Sequence, residues 1–502
     1  MDDLFDLIQS FSANEKKEFR LFLQRNRSRR ERKDVVLFDA LADGEFEDKL
    51  EIHQKVYGKD VDRNAYHSLR KRLIQQINDF VYLKRIDNDD SISAKVHRDL
   101  MLIRHLFDHK LNKQAWKYLL KVEKQCINAE LNQDLQAIYN LMIEKYHPDY
   151  SKETIESLVA KRVTIGYLAK DEENLRIVSS LVKQELAKVR LTGEDIDLTD
   201  LTDRLLKQFD LEDSLFKRPR LLYNFLLLMR TTVLAQKKYH SFEGFAIHSY
   251  KRMLRSGYFE NHRSHHLNML YIVAHTLYRN KKFVEAIEYL EQMHEILPKV
   301  NKGIFQQYYS RYFLLLAACE NFRGNLEISI AILQDLLASE NVDKVDRLNA
   351  RLNLCVYHFE NLDHQQALKT SLEFQHSDQW YEKIMGVEWR FKKNMIELIF
   401  QYEIGNTEIA YDRIESMQRI YRELFKTNKY ARVSVFLNLI KQIIREPAIL
   451  HSQRLKDQIE DSFEWIDKQE EDLQAMTYYA WLKSKILKQG FYETMLELIA
   501  AT

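Results

Sequence analysis

Histidine is the residue through which this chain would hold a metal or move a proton, and two stretches bring histidines to helical spacing. NHRSHH sets His262 and His266 four residues apart, with His265 beside them and Glu260 just upstream. HLFDH gives a second pair, His105 and His109. Two imidazoles on one helical face are half of a zinc site, which also needs further ligands and groups that orient each ring. No H-E-x-x-H occurs, and 17 histidines spread over 502 residues produce such pairs by chance. No metal site is expected. Cys126, Cys319 and Cys355 are far apart and form no C-x-x-C pair. Cys319 and Cys355 fall on apolar helical faces, where a thiol packs as a small apolar side chain and is not an activated nucleophile. Glu172–Glu173 and Glu470–Glu471 lie in charge-rich segments, unlike a tuned catalytic pair. With 11 glycines and neither a G-x-x-x-x-G-K-[ST] nor a G-x-G-x-x-G motif, a phosphate cradle is not expected. These readings give no catalytic residue and no cofactor, so the chain is not expected to be an enzyme.

Basic residues offer a different chemistry, the gripping of phosphate. RNRSRRERK, residues 25–33, carries six basic side chains and one acid. It is followed at once by DVVLFDALADGEFEDKLE, with seven acids and one lysine, which weaken the field within a Debye length. No aromatic is interleaved for bases to stack on, so a solvated link between helices is the better reading. A second basic group begins at Arg63 and Asn64 and continues through Arg70, Lys71 and Arg72, on a helix after a short turn. That layout is like a helix-turn-helix, whose second helix enters a major groove. Asp60 and Asp62 stand against it, and the whole chain has a net charge of only +1. Nucleic acid is therefore the alternative partner class, with these five residues as its contacts.

The elements that must position such groups are helices. Eleven glycines and four prolines are far below ordinary usage, and strand-rich folds need more turn residues than this. The chain reads as all-α, and its length exceeds one core, so several domains or a repeat array are expected. MDDLFDLIQS carries acids where a secretory leader would be positive. LLYNFLLLMRTTVLA is interrupted by Asn224 and Arg230 and is too short to span a bilayer. Neither membrane nor export is expected, and three scattered cysteines suit a reducing cytoplasm.

The repeat lies in the second half. LNMLYIVAHTLY, a polar break RNKK, and FVEAIEYLEQMHEIL read as two amphipathic helices, stopped at Pro298. Small residues fall where the helices must approach, at Ala274 and Ala286. The pattern recurs with Ala317 and Ser329, Cys355 and Ala367, and Leu398 and Ala410, with Gly324 and Gly405 in two of the turns. The second-helix positions 286, 329, 367 and 410 lie about 40 residues apart. Ala274, Ala286, Leu290, Met293 and Pro298 resemble the tetratricopeptide repeat in spacing, although Leu270 replaces its first-helix aromatic and the period exceeds the usual ~34 residues. The resemblance implies a tetratricopeptide-like α-solenoid of helical hairpins.

LFDHKLNKQAWKYLLKVEKQ echoes the same grammar around Ala115. TGEDIDLTDLTD, 192–203, reads as an exposed loop and an internal boundary. At the N-terminus, Ser12 and Glu15 form a capping-box signature, and Tyr66, Leu69, Leu73, Ile77 and Phe80 make one apolar stripe. FDLIQSFSANEKKEFRLFL followed by VYGKDVDRNAYHSLRKRL resembles a family of bacterial helical proteins common in the Bacteroidetes. The resemblance implies a small helical N-terminal module ahead of a tetratricopeptide-like array, and no activity. The expected organisation is a module at 1–88, degenerate hairpins at 89–191, the array at 204–425 and capping helices at 426–502. Such a chain is expected to bind a protein or peptide on its helical surface, with aromatics such as Tyr308, Tyr309, Trp380 and Trp389 as candidates for a groove.

Overall fold

A computed structural model describes residues 3–25, 33–43, 52, 55–58, 63–88, 92–192, 198–236, 239–422, 425, 431–462 and 473–501. Among them every regular element is a helix. No helix of the described residues is long and apolar enough to cross a membrane. The chain divides into two units, Met1–Lys170 and Asp171–Thr502. The division falls within the helix Ile155–Thr192.

In the first unit the capping box forms as the sequence dictates. Glu15 N–H donates to Ser12 Oγ at 3.2 Å and Ser12 N–H donates to Glu15 Oε2 at 2.9 Å, which starts the helix Ala13–Gln24. Its apolar face meets Lys33–Asp43 and Arg63–Asn88. Phe19 lies edge-on to Phe38 at 4.9 Å, and Tyr66, Leu69, Leu73, Ile77 and Phe80 are all buried against them. A second cluster forms where Ile92–Asp108, Asn112–Asn128 and Asn132–Glu144 pack in succession, with Ala115 fully buried beside Trp116.

In the second unit, consecutive helices pack in pairs: Arg263–Arg279 on Phe283–Ile296, Lys302–Phe322 on Leu326–Ala338, Lys344–Glu360 on His364–Leu372, and Val387–Glu403 on Thr407–Ile420. The small residues read from the sequence sit at these contacts. Ala274, Ala286, Ala317, Ser329, Cys355, Ala367 and Ala410 are all buried, as is the bulkier Leu398. Each pair turns through one left-handed residue, at Lys281, Gly324, Leu362 and Gly405, five positions before the second-helix small residue. The amide after it donates to the carbonyl five residues back at 2.9 to 3.0 Å: Lys282 to Leu277, Asn325 to Glu320, Asp363 to His358, Asn406 to Gln401. This closes the first helix and aims the chain back along it. The same turn recurs in the first unit at Lys110 and Glu130, with Leu111 bonded to Leu106 and Leu131 to Cys126.

The acidic stretch 192–203 departs from the expected loop. Residues 193–197 lie outside the described residues, but from Leu198 the chain is helical as far as Gln208, and Thr202 is buried. Leu201 is half-buried and is followed at helical spacing by the buried Leu205 and Leu206, while Asp200 and Asp203 are exposed, so apolar burial draws the segment into a helix. The last two helices, Leu473–Leu487 and Phe491–Ala500, form a pair that packs against the middle of the unit. Tyr492 Oη donates to the Asn321 carbonyl at 2.5 Å, and Trp481 Nε1 donates to Glu403 Oε1 at 2.7 Å.

Candidate functional site

The basic residues proposed for nucleic acid begin the helix Arg63–Asn88. The Arg63 side chain lies outside the described residues. Asn64, Lys71 and Arg72 are exposed, while Arg70 is half-buried with its guanidinium 5.8 Å above the Tyr66 ring. Of the opening basic run, Arg25 lies 3.9 Å above Phe22, Lys33 lies 3.8 Å above Tyr57, and residues 26–32 are outside the described set.

The histidines converge on rings. Tyr258 Oη lies 2.8 Å from His265 Nδ1, and the His265 ring stacks on Tyr223 at 4.0 Å. Tyr250 Oη lies 3.2 Å from His266 Nε2, and that ring stacks on Phe259 at 4.4 Å. Burial pushes His265 and His266 down to about 4, and His275 down to about 3, so all three are neutral packing groups near neutral pH. Among the described residues no group of histidines, cysteines and acids is placed to hold a metal. The three cysteines are unpaired and buried, and desolvation pushes each thiol up to about 12.

A charged cluster joins Asp378–Met385 to the helices that follow it. Lys393 and Arg390 are buried; Lys393 Nζ pairs with Glu397 Oε1 at 2.5 Å and with Asp378 Oδ1 at 3.4 Å, and Arg390 pairs with Glu382. Glu397 also pairs with Arg413. Each charge is matched, so the cluster is a brace between helices. The aromatic candidates divide: Tyr308 is buried, whereas Tyr309, Trp380 and Trp389 are half-buried. Trp389 Nε1 donates to Asn349 Oδ1 at 3.0 Å, and Trp380 is sandwiched by His376 at 3.8 Å and the Lys344 ammonium at 4.3 Å.

A cavity of about 990 Å³, counting its mouth, opens among four helices of the paired series and the C-terminal pair. Phe322, Phe359, Phe400, Tyr478, Trp481 and Phe491 supply much of its wall. Asn321 and Glu360 sit in that wall, nearly without solvent exposure, and Asn321 Nδ2 donates to Glu360 Oε2 at 3.0 Å. Burial pushes the Glu360 carboxyl up to about 8. Sequence reasoning passed over both. The signal for Glu360 is its register, one turn after Val356 and Tyr357 on an apolar face; its meeting with Asn321 from another helix has no signal in the sequence. No protein-family model and no curated protein matches the chain.

Proposed function

We propose that the chain is a non-enzymatic interaction scaffold of tetratricopeptide-like α-solenoid type, which holds a peptide or helix of another protein on its paired helices. The observation that carries this reading is the recurrence of one turn and one small residue in fixed register, at 281 and 286, 324 and 329, 362 and 367, 405 and 410. Hairpins repeated in this way bury one face against their neighbours and leave another to dock extended partners. Tyr309, Trp380 and Trp389 are the anchor candidates, since half-buried rings of this kind carry much of the energy at interfaces. A cytoplasmic setting fits three thiols that stay unpaired. The layout shared with the Bacteroidetes helical family adds a fold expectation and no activity.

A second reading, a DNA-binding regulator, is favoured by the exposed Asn64, Lys71 and Arg72 on a helix that carries no acid before Asp79. One experiment separates the two. Tagged protein is used to capture partners from lysate before and after nuclease, and each retained protein is purified and titrated directly. The scaffold reading expects a nuclease-resistant partner whose affinity falls at least tenfold with W380A or W389A. Retention of nucleic acid alone, weakened by K71E/R72E and steeply by salt, overturns it in favour of the regulator.

A further inference from the structure

The polar groups in the cavity of the second unit are unevenly matched. Asn321 spends its Nδ2 on Glu360, while its buried Oδ1 accepts no hydrogen bond. Glu360, 5% exposed, is a carboxyl held in an apolar wall. Two wall donors are committed elsewhere, Thr477 Oγ1 to the Leu473 carbonyl at 2.9 Å and Trp481 Nε1 to Glu403, as is the neighbouring Tyr492 Oη, to the Asn321 carbonyl. Arg279 also lines the cavity, but its guanidinium lies 4.8 Å over the Tyr239 ring. A carboxyl in an apolar cavity wall is a costly arrangement for a core and a useful one for a site that receives N–H groups. Phenylalanine, tyrosine and tryptophan rings line the cavity, and the face of such a ring attracts a cation.

We propose that this cavity binds a small organic amine, whose ammonium group pairs with the Glu360 carboxylate while its apolar body lies against Phe359, Phe400 and Phe491. The part of the cavity that a water-sized sphere can enter is about 210 Å³, which suits a small arylalkyl chain and not a larger ligand. The site is independent of the scaffold reading and adds a ligand to it. A bound cation restores the charged form of Glu360, so binding near neutral pH releases a proton. The charged and titratable groups that face Glu360 or line the same cavity are Arg279, Lys392, Tyr278, Tyr357, Tyr478 and Tyr492. Burial holds Tyr357 and Tyr492 above the usual tyrosine range, so the released proton comes from Glu360.

The test is calorimetric titration of the full chain with phenethylamine, phenethyl alcohol and phenylacetate, in two buffers of different ionisation enthalpy at neutral pH. The amine is expected to bind at least tenfold more tightly than either isostere, with net proton release. E360Q, which preserves the bond from Asn321, is expected to erase that preference. A318L, which fills the cavity from a wall position without touching a charge, is expected to abolish binding of all three, with circular dichroism confirming the fold of both variants. Absence of amine binding, tighter binding of phenylacetate, or a preference that survives in E360Q would each overturn the proposal.

Discussion

Glu360 and three half-buried histidines act on stability in opposite directions of pH. The folded state raises Glu360 to about 8 from an ordinary 4.5, so it binds more protons than the unfolded chain between those values. Its contribution is fully present below about 4.5 and is lost as pH rises towards 8. His265, His266 and His275 are depressed from 6.5, so their contribution is intact above that value and is lost as pH falls. From pH 6.5 to 8 only the Glu360 change operates among these four. Urea unfolding should show wild-type stability falling by about 1 to 2 kcal/mol over that interval, and E360Q staying flat. Equal slopes in the two proteins would contradict the assignment. The cysteines make a second prediction at this scale. With thiols buried and raised to about 12, Cys126, Cys319 and Cys355 should resist a thiol reagent in buffer and react completely in denaturant.

At the scale of the element, the turn sets the register. Its left-handed position takes glycine at 324 and 405, but Lys281 and Leu362 adopt the same conformation against the preference of L-residues. Leu362 is 72% exposed, so its side chain gives up little core contact. L362G should therefore stabilise the second unit by about 0.5 to 1 kcal/mol, read as a higher urea midpoint. A lower midpoint would mean that the Leu362 side chain contributes packing that outweighs the strain. This also explains why the turn was only half legible: two glycines marked it, while lysine and leucine carry no such mark.

For the molecule as a whole, the C-terminal pair Leu473–Leu487 and Phe491–Ala500 covers the wall that holds Phe359, Phe400 and Asn321. Trp481 is 1% exposed, and its ring meets Tyr402 and Phe436 edge-on. Deleting 473–502 should uncover this apolar surface, seen as increased binding of a hydrophobic dye, and should lower the melting temperature. An unchanged dye signal would show that the pair contributes no cover.

Periodicity and composition were enough to read an all-helical chain, because apolar spacing and scarce glycine and proline are local properties that every segment carries. The same spacing placed Ala286, Ala367 and Ala410 at helix contacts, since close approach demands a small side chain there. Pairing across distance was not legible. That Asn321 meets Glu360, that Tyr492 reaches back to Asn321, and that His265 lies among tyrosine rings depend on which faces the packed helices turn towards each other. Burial then decides the chemistry, because the same carboxyl or imidazole has one proton affinity in water and another in an apolar wall.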